Sequence, residues 1–328
     1  MKNLFLLYLI LLIFSNSLVF NYEPDPSSYS LLLPKVRKDV IKTTLSSLPN
    51  KSKLNLLQMS EAMAKLKEEK SLNEAESAYL IYLWIGKNIR LDCYSDNTKY
   101  QFPTEVYNNE KGNSLGFTSL FYAFATNLDI KVFPIPIQGK EKITVETKEV
   151  YKIVNTTWNA ILIDNNYYLV DTKKGTGYCS NEFKRMNTDL YFGTKPEIFI
   201  RSHFPDDDKW QLLEDKITFD KFNSWPYISY YFYMNGFQTL SPDDAFLDVS
   251  YGSKLVLTYD KENTNLSILT KFSTNYKFTK YKGDNVSNGK VVIAFDGKYT
   301  SEDALVIYAN QSGPSDTYYT IIIYKIKK

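Results

Sequence analysis

Histidine and cysteine are nearly missing from this chain, which carries one imidazole, at His203, and two thiols, at Cys93 and Cys179, in 328 residues. Two thiols and one imidazole do not make a zinc cluster, so no metal site is expected. An excess of either charge is also missing: 39 basic against 37 acidic residues leave +2, without a long basic block to track phosphates, and nucleic-acid binding is not expected. No GxSxG elbow, HExxH helix, Walker loop or dinucleotide fingerprint occurs, and no cofactor is implied. Beyond residue 20 there is no apolar run long enough to span a bilayer. What remains is an ordinary folded composition, 44% apolar and 23% charged, sufficient for one large core or two smaller ones. Its 27 tyrosines and 20 phenylalanines gather in short alternating runs that favour strands.

The opening MKNLFLLYLILLIFSNSLVF has one lysine, an unbroken apolar run from Leu4 to Phe14 and small residues at Ser15 and Ser17. It reads as a signal peptide over 1–20, cleaved to leave a secreted or extracellular chain with no further membrane span; retention in the secretory pathway or anchoring by an uncleaved segment is the alternative. Sequons at Asn50, Asn155, Asn265, Asn285 and Asn310 are candidate glycosylation sites of a secreted glycoprotein.

Residues 21–70 read as an N-terminal extension, Pro- and Ser-rich at first and helical from about 37 to 69. SLNE at 71–74 matches a capping box, with Ser71 on the N3 amide and Glu74 returning. Ala78, Ile81, Ile85 and Ile89 then give one apolar helix face. A second helix is expected near Ser114, followed by strands at KVFPIPI (131–137), TWNAILI (157–163) and YYLVD (167–171), the last two joined through Asp164, Asn165 and Asn166. Strands that succeed one another without crossover helices indicate an α+β domain, placed at 71–225. From 230 to 328, short strands such as KLVLTYD, LSILTKF, GKVVIAFD, DALVIYA and YYTIIIYKI indicate an all-β sandwich.

KGNSLGFTSLFYAF at 111–124 sets a serine at a helix start, where the dipole and free amides favour a nucleophile. Serine still needs a base. His203, in IRSHFPDDDKWQLL, reads as a structural or surface residue, Ser114 as a helix cap or small packing residue, and Asp171 as a strand-terminal turn residue.

Three segments add a resemblance. GNSLGF (112–117) resembles the G-x-C-x-G-[YF] segment of the transglutaminase-like superfamily, and TTWNAILIDNNYYLVDTKKGTGY (156–178) resembles its H-A-W-N strand, hairpin and strand ending in Asp. YLWIGKNIRLD (82–92) and YFGTKPEIFIRSHFPDDDKWQLL (191–213) are similar to flanking segments of its kyphoscoliosis peptidase-like branch. The resemblance implies a papain/transglutaminase-like core followed by an immunoglobulin-like sandwich. It puts Ser114 at the nucleophile position, Thr156 at the histidine position and Asp171 at the acid position of a Cys-His-Asp triad. With nucleophile and base both replaced, the implied protein is a pseudoenzyme that binds an extracellular or cell-surface protein or serves as a structural component. A residual or non-standard cysteine or serine peptidase or acyl-transfer enzyme is the alternative.

Trp158, Tyr178 and Trp210 are candidate cleft or support residues, core packing being the simpler reading for both tryptophans. Cys93 and Cys179 are expected to pair in a disulfide; Cys179 as a substitute nucleophile lacks a helix-start setting. A glycan on Asn155, beside Thr156, is expected to crowd the former reaction centre.

Overall fold

In a computed structural model, the described residues are 24–96, 99–145, 148–179, 182–260, 266–272, 278–281, 286–298, 304–310 and 318–327. Residues 1–20, expected to be a signal peptide, Asn265 and Asn285 lie outside them. Five helices lead the chain: α1 (Lys38–Ser47), α2 (Leu56–Glu69), α3 (Glu74–Asn88), α4 (Pro103–Asn109) and α5 (Ser114–Asn127). The capping box of α3 is formed two residues later than SLNE suggests. Asn73, in extended conformation, accepts from the Glu76 amide while Glu76 accepts from the Asn73 amide. Ser71 sits at φ +48°, a left-handed conformation unlike the extended one a cap adopts. Asn-x-x-Glu at 73–76 offers the same chemistry in a register the backbone can use. Arg37 then clamps the buried Glu76 carboxylate with Nε at 2.6 Å and Nη2 at 2.7 Å. This fastens the 21–70 stretch to the core, where Tyr29, Leu32, Ile41, Met59 and Met63 pack with Ile81, Ile85 and Phe121.

Strands β1 (Arg90–Leu91) and β2 (Lys111–Gly112) form a short parallel pair that brings the exit of α3 beside the entry to α5. The long hairpin β3 (Lys131–Val145) and β4 (Lys148–Ile163) pairs without a register break from Lys131↔Leu162 to Val145↔Lys148. Asp164 and Asn165, both at positive φ, make the two-residue turn into β5 (Asn166–Val170), as asparagine and aspartate allow. The helix α6 (Thr172–Thr176) follows, then β6 (Gly177–Cys179), β7 (Phe183–Arg185), β8 (Phe192–Thr194), α7 (Pro196–Phe199) and β9 (His203–Pro205). The central antiparallel sheet has the order β8-β5-β4-β3-β9. α5 lies against β3 and β4 and also touches α3. Phe117, Leu120, Phe121 and Phe124 are wholly buried, which explains why the helix reads as apolar on more than one face.

After α8 (Phe219–Asn223), strand β10 (Tyr227–Ile228) and α9 (Tyr230–Met234) lead into β11 (Phe237–Ser241), β12 (Phe246–Leu247), β13 (Lys254–Tyr259), β14 (Ser267–Phe272), β15 (Thr279–Tyr281), β16 (Val286–Ser287), β17 (Lys290–Ala294), β18 (Ala304–Asn310) and β19 (Tyr319–Ile326). They form two sheets. One runs β10-β19-β18-β14-β15 with β12 on β19, and the other runs β11-β13-β17-β16. Leu255, Leu257, Ile268, Val291, Ile293, Ile307, Ile322 and Tyr324 fill the space between them. The inward alternation is visible in β13 and β14, whose residues are buried every second position. The chain is thus an α+β core followed by a two-sheet β-sandwich. A patch of Ala304, Val306 and Ile323 on the sandwich meets Tyr151 of β4 and Tyr227 of β10, so the two lobes share an apolar contact.

Candidate functional site

Ser114 opens α5 but does not cap it. Asn113, one residue earlier and in extended conformation, accepts from the Gly116 amide and donates to the Asp96 and Lys99 carbonyls. The amide of asparagine reaches the free N–H groups from outside the helix, which leaves Ser114 as the first helical residue. Ser114 is fully buried. Its hydroxyl forms a short hydrogen bond with Thr156 Oγ1, accepts from the Thr157 amide at 3.1 Å and lies 3.3 Å from the Thr157 carbonyl. Thr157 in turn meets Thr118 at 2.8 Å between hydroxyl oxygens. A helix start and a strand are therefore joined by a ladder of hydroxyls, none of which is a base at neutral pH.

Asp171 is also sealed, at 2% exposure, and caps α6 by accepting from the Lys174 amide at 2.8 Å. Its second oxygen faces His203 Nε2 at 3.1 Å. His203, expected as structural or surface, is wholly buried and structural: it stacks on Phe199 with ring centres 4.1 Å apart and tilts against Trp158 at 5.3 Å. Its Nδ1 lies 2.7 Å from Ser202 Oγ and 3.1 Å from the Phe199 carbonyl. Burial, followed by the nearby Lys174 ammonium, pushes the imidazole down to about 4 against the pull of Asp171. Burial also works against the Asp171 carboxylate, but the hydrogen bond from His203, the nearby Lys174 charge and the Lys174 amide offset it, and the carboxyl stays below its usual range. The pair is a neutral imidazole donating from Nε2 to a carboxylate, with the Ser202 hydroxyl donating to Nδ1. Both ring nitrogens are committed. Asp171 has an imidazole partner, carried by β9 rather than by the strand of Thr156.

Next to this sealed cluster lies an open cavity of about 470 Å³ between the α+β core and the sandwich. Asn113, the Cys93–Cys179 disulfide, Lys173, Lys174 and Tyr178 line one side, and Tyr227, Tyr231 and Tyr319 the other. Ser114, Thr156, Asp171 and His203 are not in its lining. Tyr178 lies in the cavity lining. Trp158 does not: it is 1% exposed and packs edge-on against Phe199 at 4.5 Å, beside His203. Trp210 packs with Phe133 and Tyr167, away from the cavity. Cys93 and Cys179 are bonded to each other, which removes Cys179 as a substitute nucleophile. Among the described residues no group of three or more His, Cys, Asp or Glu could hold a metal ion, and no helix is long and apolar enough to cross a membrane.

Asn155 is exposed and accepts from Gln138 Nε2 at 2.7 Å, whereas its neighbour Thr156 is buried. Alternation along β4 turns the two side chains to opposite faces and puts Asn155 on the face of Thr157, whose hydroxyl meets Thr118 of α5. Asn50 is exposed and caps a short turn, and Asn310 is half-buried at the end of β18.

No family profile matches this chain. It is 24% identical over 190 residues to the kyphoscoliosis peptidase of Mus musculus and 25% identical over 189 residues to that of Homo sapiens. Each match covers 56% of this chain and 29% of the relative, so the chain matches under a third of the relatives' length. Among solved structures, a protein of Cytophaga hutchinsonii described as a cysteine protease candidate superposes with a TM-score of 0.26 and 16% identity over 35% of this chain and 38% of its own. A TGase gives 0.24 and 13% over 47% and 34%. The similarity in sequence to kyphoscoliosis peptidase stands, and the α+β fold rests on the sheets and helices of this chain.

The residues that sequence reasoning missed are Lys140, Lys174 and the tyrosines of the second lobe. They come from strands and turns far apart in the chain. The signal for the tyrosines was the run WPYISYYFYM (225–234), whose tyrosines are too dense for a single buried helix face.

Proposed function

We propose that the chain is a secreted, non-catalytic relative of transglutaminase-like peptidases that holds an extracellular or cell-surface polypeptide in the cavity between its lobes. In this reading Ser114, Thr156 and Asp171 occupy the nucleophile, histidine and acid positions of the ancestral triad. The observation that supports it most is the separation of chemistry from access. The hydroxyls of Ser114 and Thr156 are buried against each other, and the imidazole of His203 is spent on Asp171 and Ser202. The open volume lies beside them and is walled by tyrosines, which offer broad apolar contact with a polar tip.

The test measures peptide hydrolysis and amine incorporation into casein by the purified full chain, by Ser114→Ala and by Ser114→Cys. All three are expected to remain at the buffer rate, since a thiol at position 114 still lacks an uncommitted base. Turnover by the native chain that disappears in Ser114→Ala would overturn the reading.

A further inference from the structure

We propose that this cavity binds a carboxylate borne on an aromatic or apolar body, with the Lys174 ammonium as its anchor. The inference rests on the recognition role proposed above and assigns its ligand chemistry. The charges of the lining are almost all spoken for. Glu141 is paired with Lys173 at 2.6 Å, Glu149 with Lys142 at 2.9 Å and with the Thr320 hydroxyl at 2.7 Å, and Asp92 with Lys111 at 3.0 Å. The fourth lysine of the lining, Lys140, donates to the Phe222 and Trp225 carbonyls, each at 2.6 Å. Lys174 differs. Its ammonium has three donors but only one long hydrogen bond among the described residues, 3.4 Å to the Lys140 carbonyl, and otherwise lies 6.0 Å over the Tyr191 ring.

Asp171 and Glu141 are close enough to favour the charged form of Lys174, yet one is committed to His203 and the other to Lys173, and burial still pushes the amine down to about 8. A half-buried ammonium with unmet donors gains most from an anionic acceptor. One such cation suits a monoanion. A phosphate dianion would meet Glu141 and Glu149 without further cations to balance it. The walls supply the rest: no hydrogen bond ties the hydroxyls of Tyr178, Tyr191, Tyr227 or Tyr319 to another described residue, and their rings line the same space. They can both flank an aromatic body and donate to the second carboxylate oxygen.

The chemistry could come from the end of a polypeptide or from an acidic side chain. Calorimetry on the full chain separates the two with acetyl-alanyl-phenylalanine bearing a free carboxylate, the same dipeptide as its C-terminal amide, and acetyl-glutamyl-phenylalanine amide. At least one of the two acids is expected to bind tenfold or more tighter than the alanyl amide, and which one does so identifies the source. Lys174→Met is expected to erase that preference and leave the weak affinity of the amide. A second measurement needs no variant: 4-benzoylbenzoate, photolysed on the native chain, is expected to label peptides containing Tyr178, Tyr227 or Tyr319, with labelling reduced at least fivefold for the benzamide. Equal affinity for acids and amide, a preference that survives Lys174→Met, labelling elsewhere, or no binding at millimolar probe would each overturn the assignment. None of these outcomes bears on Ser114-dependent turnover, which alone decides the pseudoenzyme reading.

Discussion

Protonating His203 inside the fold would put a second charge into a fully buried site, and this gives the residue a measurable signature. Its folded pKa, about 4, lies below the usual value of 6.5. As pH falls through that window the unfolded chain takes up a proton that the folded chain refuses, so stability is full above about 6.5 and is lost progressively toward 4. Between pH 7.5 and pH 5 the loss is on the order of 2 kcal/mol. Urea titrations at these two pH values should therefore show native midpoints falling further than those of His203→Gln, which lacks the titration. A parallel fall in both would show that His203 is protonated in the folded state. The interval stays above the carboxyl range, where Asp171, whose folded pKa is depressed, contributes stability that disappears only in more acidic solution. At this scale the sequence was half legible. GNSLGF and TTWN pointed to residues that do meet, Ser114 and Thr156, because both sit on strongly patterned elements. The pairing of Asp171 with His203 was hidden because β9 joins the sheet edge beside β3 through a contact that no local pattern encodes.

At the scale of elements, α6 is held against α3 by the absence of a side chain. A Cβ on Gly175 would fall inside the van der Waals envelope of the Tyr82 hydroxyl, which is fixed by donating to the Thr188 carbonyl at 2.5 Å. Gly175→Ala is expected to destabilise by about 1–3 kcal/mol through overpacking. Adding Tyr82→Phe removes the nearest clashing atom and the bond to Thr188 that holds the ring, leaving the ring carbons next to that Cβ free to shift, so the double variant should lose less than the sum of the single losses; additive losses in urea titration would contradict the close approach. The disulfide acts on the same neighbourhood. It joins the segment after β1 to β6 across 86 residues. Cys93→Ser with Cys179→Ser should lower stability by up to about 4 kcal/mol on the loop-entropy view, and reductant should reproduce the fall in thermal midpoint in the native chain alone. The helix starts and the β4–β5 turn were readable because their chemistry is local. The capping register at Asn73 was not, since two overlapping matches differ only in the backbone conformation of Ser71.

For the whole molecule, the decisive feature is that the cavity has walls in both lobes, so whatever joins the lobes also shapes the site. Two contacts do so. Lys142 and Glu149, on the distal arms of β3 and β4, reach Thr320 of β19, and Tyr151 stacks on Tyr227 with ring centres 6.1 Å apart beside Ala304, Val306 and Ile323. The existence of two layered regions was legible from strand spacing, but this joint was not: its residues look like ordinary strand tips until the fold brings them together. A polar triad with an apolar patch should couple the unfolding of core and sandwich into one transition. Scanning calorimetry of the native chain is expected to give a single peak whose calorimetric and van't Hoff enthalpies agree. Thr320→Val with Tyr227→Ala should resolve it into two, because the half-buried Glu149–Lys142 pair loses its hydroxyl partner and the aromatic contact is emptied. Circular dichroism at 20 °C should meanwhile keep the strand signal of both lobes. Two peaks in the native chain would mean that the lobes unfold independently, and the cavity would then have no fixed width with which to select a ligand. A single native peak that stays single in the double variant would place the coupling elsewhere, as in the ion pair of Arg201 with Asp243 at 3.6 Å, which the substitutions leave in place.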